Sequence, residues 1–463
     1  MNKNFKTAKL HGGIITQPFG NYKGLFVFRG RKILDKVRLA ATKILYDVAA
    51  NGAYSNVALA QTLRAEKFSD LDRKFCTELV YGTVKAGASL DWKISKYLSR
   101  PINKVDKKIL AVLRVGFYQI FFLDRVPNSA AVNESVELAK KFCGLGASKF
   151  VNGVLRSAVR EPQKSDFPTG DDVNSLALKN FHPAWLVKLF AEEFGLDATK
   201  KILAFDNTEP PLCLRVNFLK TTREKFLAAL KNFDAQAEPS TFAPEGIVCK
   251  KIFGALDKFQ PLRKGLCQVQ DESSMIAARL LNPQAGEFVI DCCAAPGGKT
   301  THLAELMQNR GRIVAADIYE TKLEHIKQNA RRLGIKIIEP LLIDACDLGE
   351  KFFEQADKVL VDAPCSGLGV LRRKADLRWK KNPDELNDLP ALQEKILASA
   401  AKTLKRGGTL LYCTCTIIRR ENQNVVEKFL AAHENFQLVE TKIFLPHVTN
   451  TDGFFSAKMI RTN

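Results

Sequence analysis

Apolar positions across residues 34–165 recur at helical spacing. Val37, Ala41, Ile44, Leu45 and Val48 share one helix face. Val132, Val136 and Ala139 share another, with Glu134 and Glu137 turned away. Asn128 and Ser129, following Pro127, are residues that begin helices. No cluster of reactive side chains accompanies this pattern, so it predicts an all-helical domain over 34–165. The stretch Glu161–Asp172 (EPQKSDFPTGDD) carries proline, glycine and charge and is expected to be a linker. A mixed pattern over 173–282 predicts a small α+β module. It has helices at Pro183–Phe194 and Thr222–Leu230 and short strands at Leu212–Val216 and Gly246–Val248.

From about residue 283 to 463 the rhythm changes. Short apolar runs at Phe288–Cys292, Arg312–Asp317, Ile337–Ile343, Lys358–Asp362 and Thr409–Thr414 predict strands. They alternate with amphipathic helices at Leu303–Gln308, Thr321–Leu333, Leu392–Leu404 and Asn422–Ala432. Such alternation predicts a parallel sheet covered by helices on both faces. Ligands of these sheets lie beyond the carboxyl ends of the strands.

Composition adds a partner class. The chain of 463 residues has a formal net charge of +20, which favours a polyanion such as nucleic acid. Residues 1–33 hold Lys3, Lys6, Lys9, Lys23, Arg29, Arg31 and Lys32 with no acid before Asp35, and are expected to form a flexible basic arm. The most apolar run, Ile109–Leu123, is interrupted by Arg114 and Gln119 and falls short of the roughly 20 residues a membrane span needs. No secretion signal is visible. Eleven cysteines, an odd number without scaffold spacing, are therefore expected to be reduced thiols in a cytoplasmic protein. Without a C-x-x-C pair, and with six histidines, a zinc site is not expected.

Chemistry concentrates at the predicted strand ends. Asp291-Cys-Cys-Ala-Ala-Pro-Gly-Gly-Lys-Thr300 follows the first strand, where small residues let the backbone approach a ligand closely. It lacks the first glycine of a phosphate-binding G-x-x-x-x-G-K-[ST] loop. Asp317 closes the second strand, where an acid accepts bonds from the ribose hydroxyls of a nucleoside cofactor. Asp344 follows the third strand and Asp362 ends the fourth. Two further motifs, Asp362-Ala-Pro-Cys-Ser-Gly-Leu-Gly369 and Thr414-Cys415-Thr416, each place a cysteine at the rim. Cys76, Cys143, Cys213, Cys249, Cys267 and Cys346 are expected to be small core hydrophobes.

Two rim cysteines suit one demanding reaction. Carbon 5 of cytosine is a poor nucleophile until a thiolate adds to carbon 6 and makes it electron-rich. A free thiol has a pKa near 8.5, so the site must favour the anion. A second thiol nearby assists the later release of the adduct.

The strings Gln270-Asp-Glu-Ser-Ser274, Cys293–Lys299, Asp362-Ala-Pro-Cys365 and Thr414-Cys415 resemble the RsmB/Sun branch of the NOL1/NOP2/Sun family of RNA 5-methylcytosine methyltransferases. Asp72-Arg-Lys-Phe-Cys-Thr-Glu-Leu-Val-Tyr-Gly82 and Val126–Val136 resemble a NusB-type RNA-binding domain. The resemblance implies a multidomain fold: an all-α NusB-like domain, a small α+β module and a Rossmann-like class I methyltransferase domain. It implies that Cys415 is the nucleophile, that Cys365 assists release, and that Asp362 contacts the base beside the cofactor. Cys293, Ala294, Ala295, Pro296, Gly297, Gly298, Lys299, Asp317, Asp344 and Asp362 would bind S-adenosyl-L-methionine. The implied substrate is cytosine in 16S ribosomal RNA, free or partly assembled, met by a monomer with neither metal nor membrane. Transfer RNA as substrate, or a non-catalytic RNA-binding factor, are the alternatives. The sequence departs from the family at Thr416, where serine is common, and at Cys413, where a small residue is usual. Arg372, Arg373, Lys374, Arg378, Lys380 and Lys381, with Trp379 among them, are expected to face RNA phosphates and an unstacked base.

Overall fold

The computed structural model describes residues 35–233, 235–251 and 258–462. The expected basic arm lies outside them. The helical region comprises Lys36–Asn51, Ser55–Ala65, Asp70–Ser95, Lys107–Phe122, Asn128–Cys143 and Leu145–Arg160. Its starts follow side-chain chemistry. The Asp35 carboxylate accepts from the amides of Val37 and Arg38, and Ser69 and Asp72 form a reciprocal capping box. Ala111, Val112, Leu113, Val115 and Phe117 are buried in the centre of this domain. The apolar run Ile109–Leu123 thus serves a protein core, and no helix among the described residues is long and apolar enough to cross a membrane.

The expected linker is irregular and mostly exposed beyond the 3-10 turn Pro162–Ser165, and it is pinned to the helices at Ser165 and Phe167. Lys93 Nζ donates to the Ser165 carbonyl at 2.6 Å, and Phe167 lies 5.6 Å from Trp92 and 6.4 Å from Phe181, ring to ring. These partly buried ring contacts anchor a stretch that otherwise keeps the loop its composition predicts.

Helices Val173–Asn180, Ala184–Phe194 and Leu196–Asp206 lead into an antiparallel sheet of β1 (Leu212–Val216), β2 (Gln236–Pro239), β3 (Gly246–Lys251) and β4 (Cys267–Val269), in the order β2-β3-β1-β4. Strands β2 and β4 were not expected. The first is exposed and polar and the second is three residues long, so neither carries a period-2 signal.

The third region holds β5 (Phe288–Asp291), β6 (Arg312–Asp317), β7 (Ile338–Leu342), β8 (Ala356–Asp362), β9 (Leu404–Thr414), β10 (Phe436–Phe444) and β11 (Phe454–Arg461). The sheet order is β10-β11-β9-β8-β5-β6-β7. The five strands from β9 to β7 pair in parallel, while β11 runs antiparallel to its neighbours β9 and β10 on either side. The central strands are apolar on both faces because helices cover both. Pro340 sits in β7, whose outer edge needs no amide donor. Strands β10 and β11 were not expected, since β10 buries only its ends.

Candidate functional site

Strand β5 is the topological switch point: β6 pairs on one side and β8 on the other. The loop leaving it therefore opens into the crevice where such sheets bind ligands. Gly297 lies in the left-handed region at φ 95° and caps the helix Gly298–Leu306. A Cβ there would lie 3.2 Å from the Ile326 side chain, so glycine answers both the turn and the close approach. From the middle module, the buried Arg215 holds this helix start from behind. It donates to the Gly298 carbonyl at 2.6 Å, to Thr301 Oγ1 at 3.0 Å and to both Glu305 oxygens, and it also bonds Gln270. Sequence reasoning missed Arg215, because a lone arginine in a short strand reads as surface. The Gln270-Asp271 string beside it was the available signal.

Asp291 is fully buried under the loop. Thr300 Oγ1 donates to its Oδ2 at 2.7 Å, while Oδ1 has no partner among the described residues. Burial pushes this carboxyl up to about 7 against the opposing effect of Thr300. Unfolded, it titrates near 4, so between about pH 4 and 7 the folded state binds the extra proton and loses stability as pH rises. Asp291→Asn mimics the neutral form. In urea denaturation it should match the parent near pH 4 and exceed it near pH 8 by on the order of 1–3 kcal/mol. Parallel stability–pH curves would overturn this reading.

Asp317 is mostly buried at the end of β6, accepting from the amides of Tyr319 at 3.1 Å and Ala295 at 3.3 Å. Each oxygen retains acceptor capacity towards the crevice. Around it Ile318, Tyr319 and Leu342 are exposed, an apolar surface suited to a flat base. Asp344 is exposed and its Oδ1 accepts from the Cys346 amide at 2.9 Å. Both acids thus cap turns while still lining the same edge of the sheet.

The two rim cysteines meet. Cys365 Sγ lies 3.4 Å from Cys415 Sγ. The hydrogen bond from Cys365 lowers the Cys415 thiol below its ordinary value, with the positive charges of Lys374 and Lys299 acting in the same direction against burial and Asp362. The same bond and burial raise Cys365 well above its own ordinary value. Thiolate character therefore collects on Cys415. Lys299 Nζ pairs with Asp362 Oδ2 at 2.6 Å, which ties the cofactor-type loop to the strand carrying the second motif. Cys413 is buried below the rim, with its sulfur 3.7 Å from Asp362 Oδ1 and its thiol pushed well up by burial. It shares the crevice wall and not the thiol pair.

The loops carrying the sulfurs are stitched together. Gly369 N–H donates to the Cys415 carbonyl at 3.0 Å, and Ser366 Oγ meets Thr416 Oγ1 at 2.8 Å. A Cβ on Gly369 would fall 2.5 Å from the Gly453 carbonyl, which explains the last glycine of the motif. Glu421 accepts from the Ser366 amide at 2.8 Å and from Gln393 Nε2 at 3.0 Å. Thr416 thus keeps the hydroxyl role open to serine. All eleven cysteines are free, and four of the expected core set are buried, with Cys143 and Cys346 half-buried. Among the described residues no group of His, Cys, Asp and Glu has metal-binding geometry.

The expected RNA-facing basic segment is a correction. Arg378 and Arg372 are buried, and Arg373 bridges Asp271 at 2.6 Å and Asp452 at 2.7 Å. Lys380 and Trp379 pack on the helical domain. Cations are seldom buried, and here they are because carboxylates and carbonyls are placed to receive them. Lys374 alone of the set is exposed, beside Cys415.

Known proteins align with this architecture. Residues 278–460 match the 16S rRNA methyltransferase RsmB/F family, residues 35–160 the NusB family, and residues 182–253 the ferredoxin-like domain of RsmF/B-like methyltransferases. A probable ribosomal RNA small subunit methyltransferase B of Bacillus subtilis (strain 168) is 39% identical over 441 residues, covering 91% of this chain and 98% of its own. The Synechocystis protein of the same description is 37% identical over 439 residues, with coverage of 91% and 98%. The solved structure of PH0851 superposes with a TM-score of 0.80 at 28% identity, covering 93% of this chain and 100% of its own. That of NSun6 from Pyrococcus horikoshii with SFG gives 0.56 at 26% identity, over 61% and 98%.

Proposed function

Because this chain belongs to the RsmB/F family of S-adenosylmethionine-dependent ribosomal RNA methyltransferases, we propose that it methylates carbon 5 of a cytosine in small-subunit ribosomal RNA through a covalent adduct of Cys415 with carbon 6. The observation that carries the reading is the 3.4 Å approach of Cys365 and Cys415 at the crevice, beside the Lys299–Asp362 pair. The residues fit the cofactor. The Cys293–Lys299 loop, Asp317 and Asp344 surround a crevice with free acceptors and an apolar face for the adenine. When bound there, it supplies an electrophilic methyl group.

The protein's part follows from its own side chains. The Cys415 thiolate adds to carbon 6 and the ring's electron pair moves towards carbon 5, while the Lys299–Asp362 pair holds a proton towards the ring nitrogen and so neutralises the negative charge building there. Once carbon 5 carries the methyl group, its proton passes to solvent water and the electron pair of that bond moves into the carbon 5–carbon 6 bond. The sulfur–carbon 6 bond then breaks, the ring double bond reforms and the Cys415 thiolate returns. Cys365 supports this release by hydrogen-bonding the departing sulfur. The target carbon is hidden in a stacked helix, so the substrate cytosine is unpaired or flipped. The substrate form we propose is 16S RNA before or during subunit assembly, engaged by a monomer in the cytoplasm.

The test uses 16S transcripts carrying 5-fluorocytidine. Fluorine cannot depart as the proton does, so a denaturation-resistant one-to-one adduct should accumulate only when S-adenosylmethionine is present. Unsubstituted transcripts should yield 5-methylcytosine on nucleoside mass spectrometry. A methyl group on nitrogen, or no adduct, would overturn the reading.

A further inference from the structure

The segment following the Cys365 loop touches the thiol loops at one end and the helical domain at the other. At the thiol end, Gly369 donates to the Cys415 carbonyl at 3.0 Å. The Leu377 side chain backs the same loop, 3.1 Å from where a Cβ on Gly367 would stand. In the middle, Arg378 is fully buried and closes the turn onto the Leu371 carbonyl at 3.3 Å. The same guanidinium reaches the carbonyls of Phe181 at 2.9 Å and Asp206 at 3.2 Å, and Asn207 Oδ1 at 3.0 Å.

At the far end the contacts belong to the helical domain. Helix Asp70–Ser95 is broken at Gly87, with φ 29° and ψ −114°. The Trp379 indole fills that notch so closely that a Cβ on Gly87 would fall 2.4 Å from Trp379 Cε2. Its N–H has no acceptor among the described residues, so packing sets its place. Lys380 Nζ donates to the carbonyls of Gly52 at 2.8 Å and Ala53 at 2.9 Å, and lies 3.6 Å from the centre of the Tyr54 ring. The Asp376 carboxylate accepts from the Ser55 amide at 3.2 Å, at the start of the second helix.

We propose that Trp379 is a positioning residue, through which docking of the helical domain sets the Cys365 loop against Cys415. The proposal rests on the reading of these two thiols as the reacting pair. The NusB-like domain then belongs to the catalytic assembly as well as to RNA capture. A packed indole transmits position because protein interiors resist compression, and a misplacement of about 1 Å at reacting groups costs up to about 100-fold in rate.

The experiment is single-turnover methylation by the full chain at saturating RNA and S-adenosylmethionine. Trp379→Ala should slow the step about 10- to 100-fold. Its affinity for S-adenosylmethionine should stay within about threefold, and Trp379→Phe, which keeps a ring in the notch, should recover most of the rate. Should Trp379→Ala fail to fold, Lys380→Met removes two hydrogen bonds at the same interface and should slow the step about threefold. An unchanged saturated rate, with only RNA affinity or thermal stability lowered, would overturn the proposal and leave the domain as a tether. The parent enzyme's adduct with 5-fluorocytosine RNA separates the two ideas. If the parent forms none, the two-thiol chemistry fails whatever Trp379 does.

Discussion

Replacing Cys415 by alanine is expected to reduce 5-methylcytosine formation by about 10⁴-fold or more, since the route through the carbon 6 adduct disappears. Binding of S-adenosylmethionine, measured by calorimetry, should be little changed, because the residues lining the Asp317 edge come from other loops. Cys365→Ala should behave differently. The adduct should still form, more slowly at neutral pH because Cys415 loses the donor that lowers its thiol. It should then persist, so a gel-stable protein–RNA species accumulates with natural cytosine and S-adenosylmethionine. The pH profile of Cys415 alkylation gives an independent measure: in Cys365→Ala its midpoint should move upward. A trapped species in Cys415→Ala, with none in Cys365→Ala, would reverse the two roles.

Arg215→Met is expected to cost about 3–5 kcal/mol of stability, because Glu305 remains buried with its countercharge gone. The Gly298 carbonyl and Thr301 hydroxyl lose a donor at the same time. The helix start behind the cofactor loop should loosen, and affinity for S-adenosylmethionine should fall with it. Arg215→Lys should rescue little, because one ammonium cannot reproduce the forked contacts to Glu305 and Gly298 together. Removing the orphaned charge with Arg215→Met/Glu305→Leu should recover much of the loss in urea denaturation. Equal stability of the single and double variants would show that Glu305 finds another partner.

Much of the architecture was legible because buried parallel strands announce themselves as unbroken apolar runs. Strand β6 falls on its expected residues, and β8 and β9 differ only in beginning earlier. The rim was legible because glycine, proline, cysteine and aspartate gather in short strings at strand ends. What escaped has a physical reason in each case. β10 exposes most of its residues and is ordered by its partner rather than by its own pattern. Arg215 is a charge that tertiary contacts internalise, which no local pattern reveals. The Arg372–Lys381 stretch was misjudged for the same reason. Its cations answer carbonyls and carboxylates that arrive from residues far away in the chain.

The placement of β11 has a consequence for biogenesis. Made after every other strand of its sheet, it lodges between β9 and β10, and the loop entering it crosses Gly369 beside the Cys415 carbonyl. During translation β10 has no partner in the sheet until β11 has emerged, so the paired sulfurs lack their lateral support until that hairpin docks on β9. Chains clipped before Gly453 should then fail to methylate RNA even with the helical domain already formed, because Gly369 loses the contact that backs the Cys415 loop.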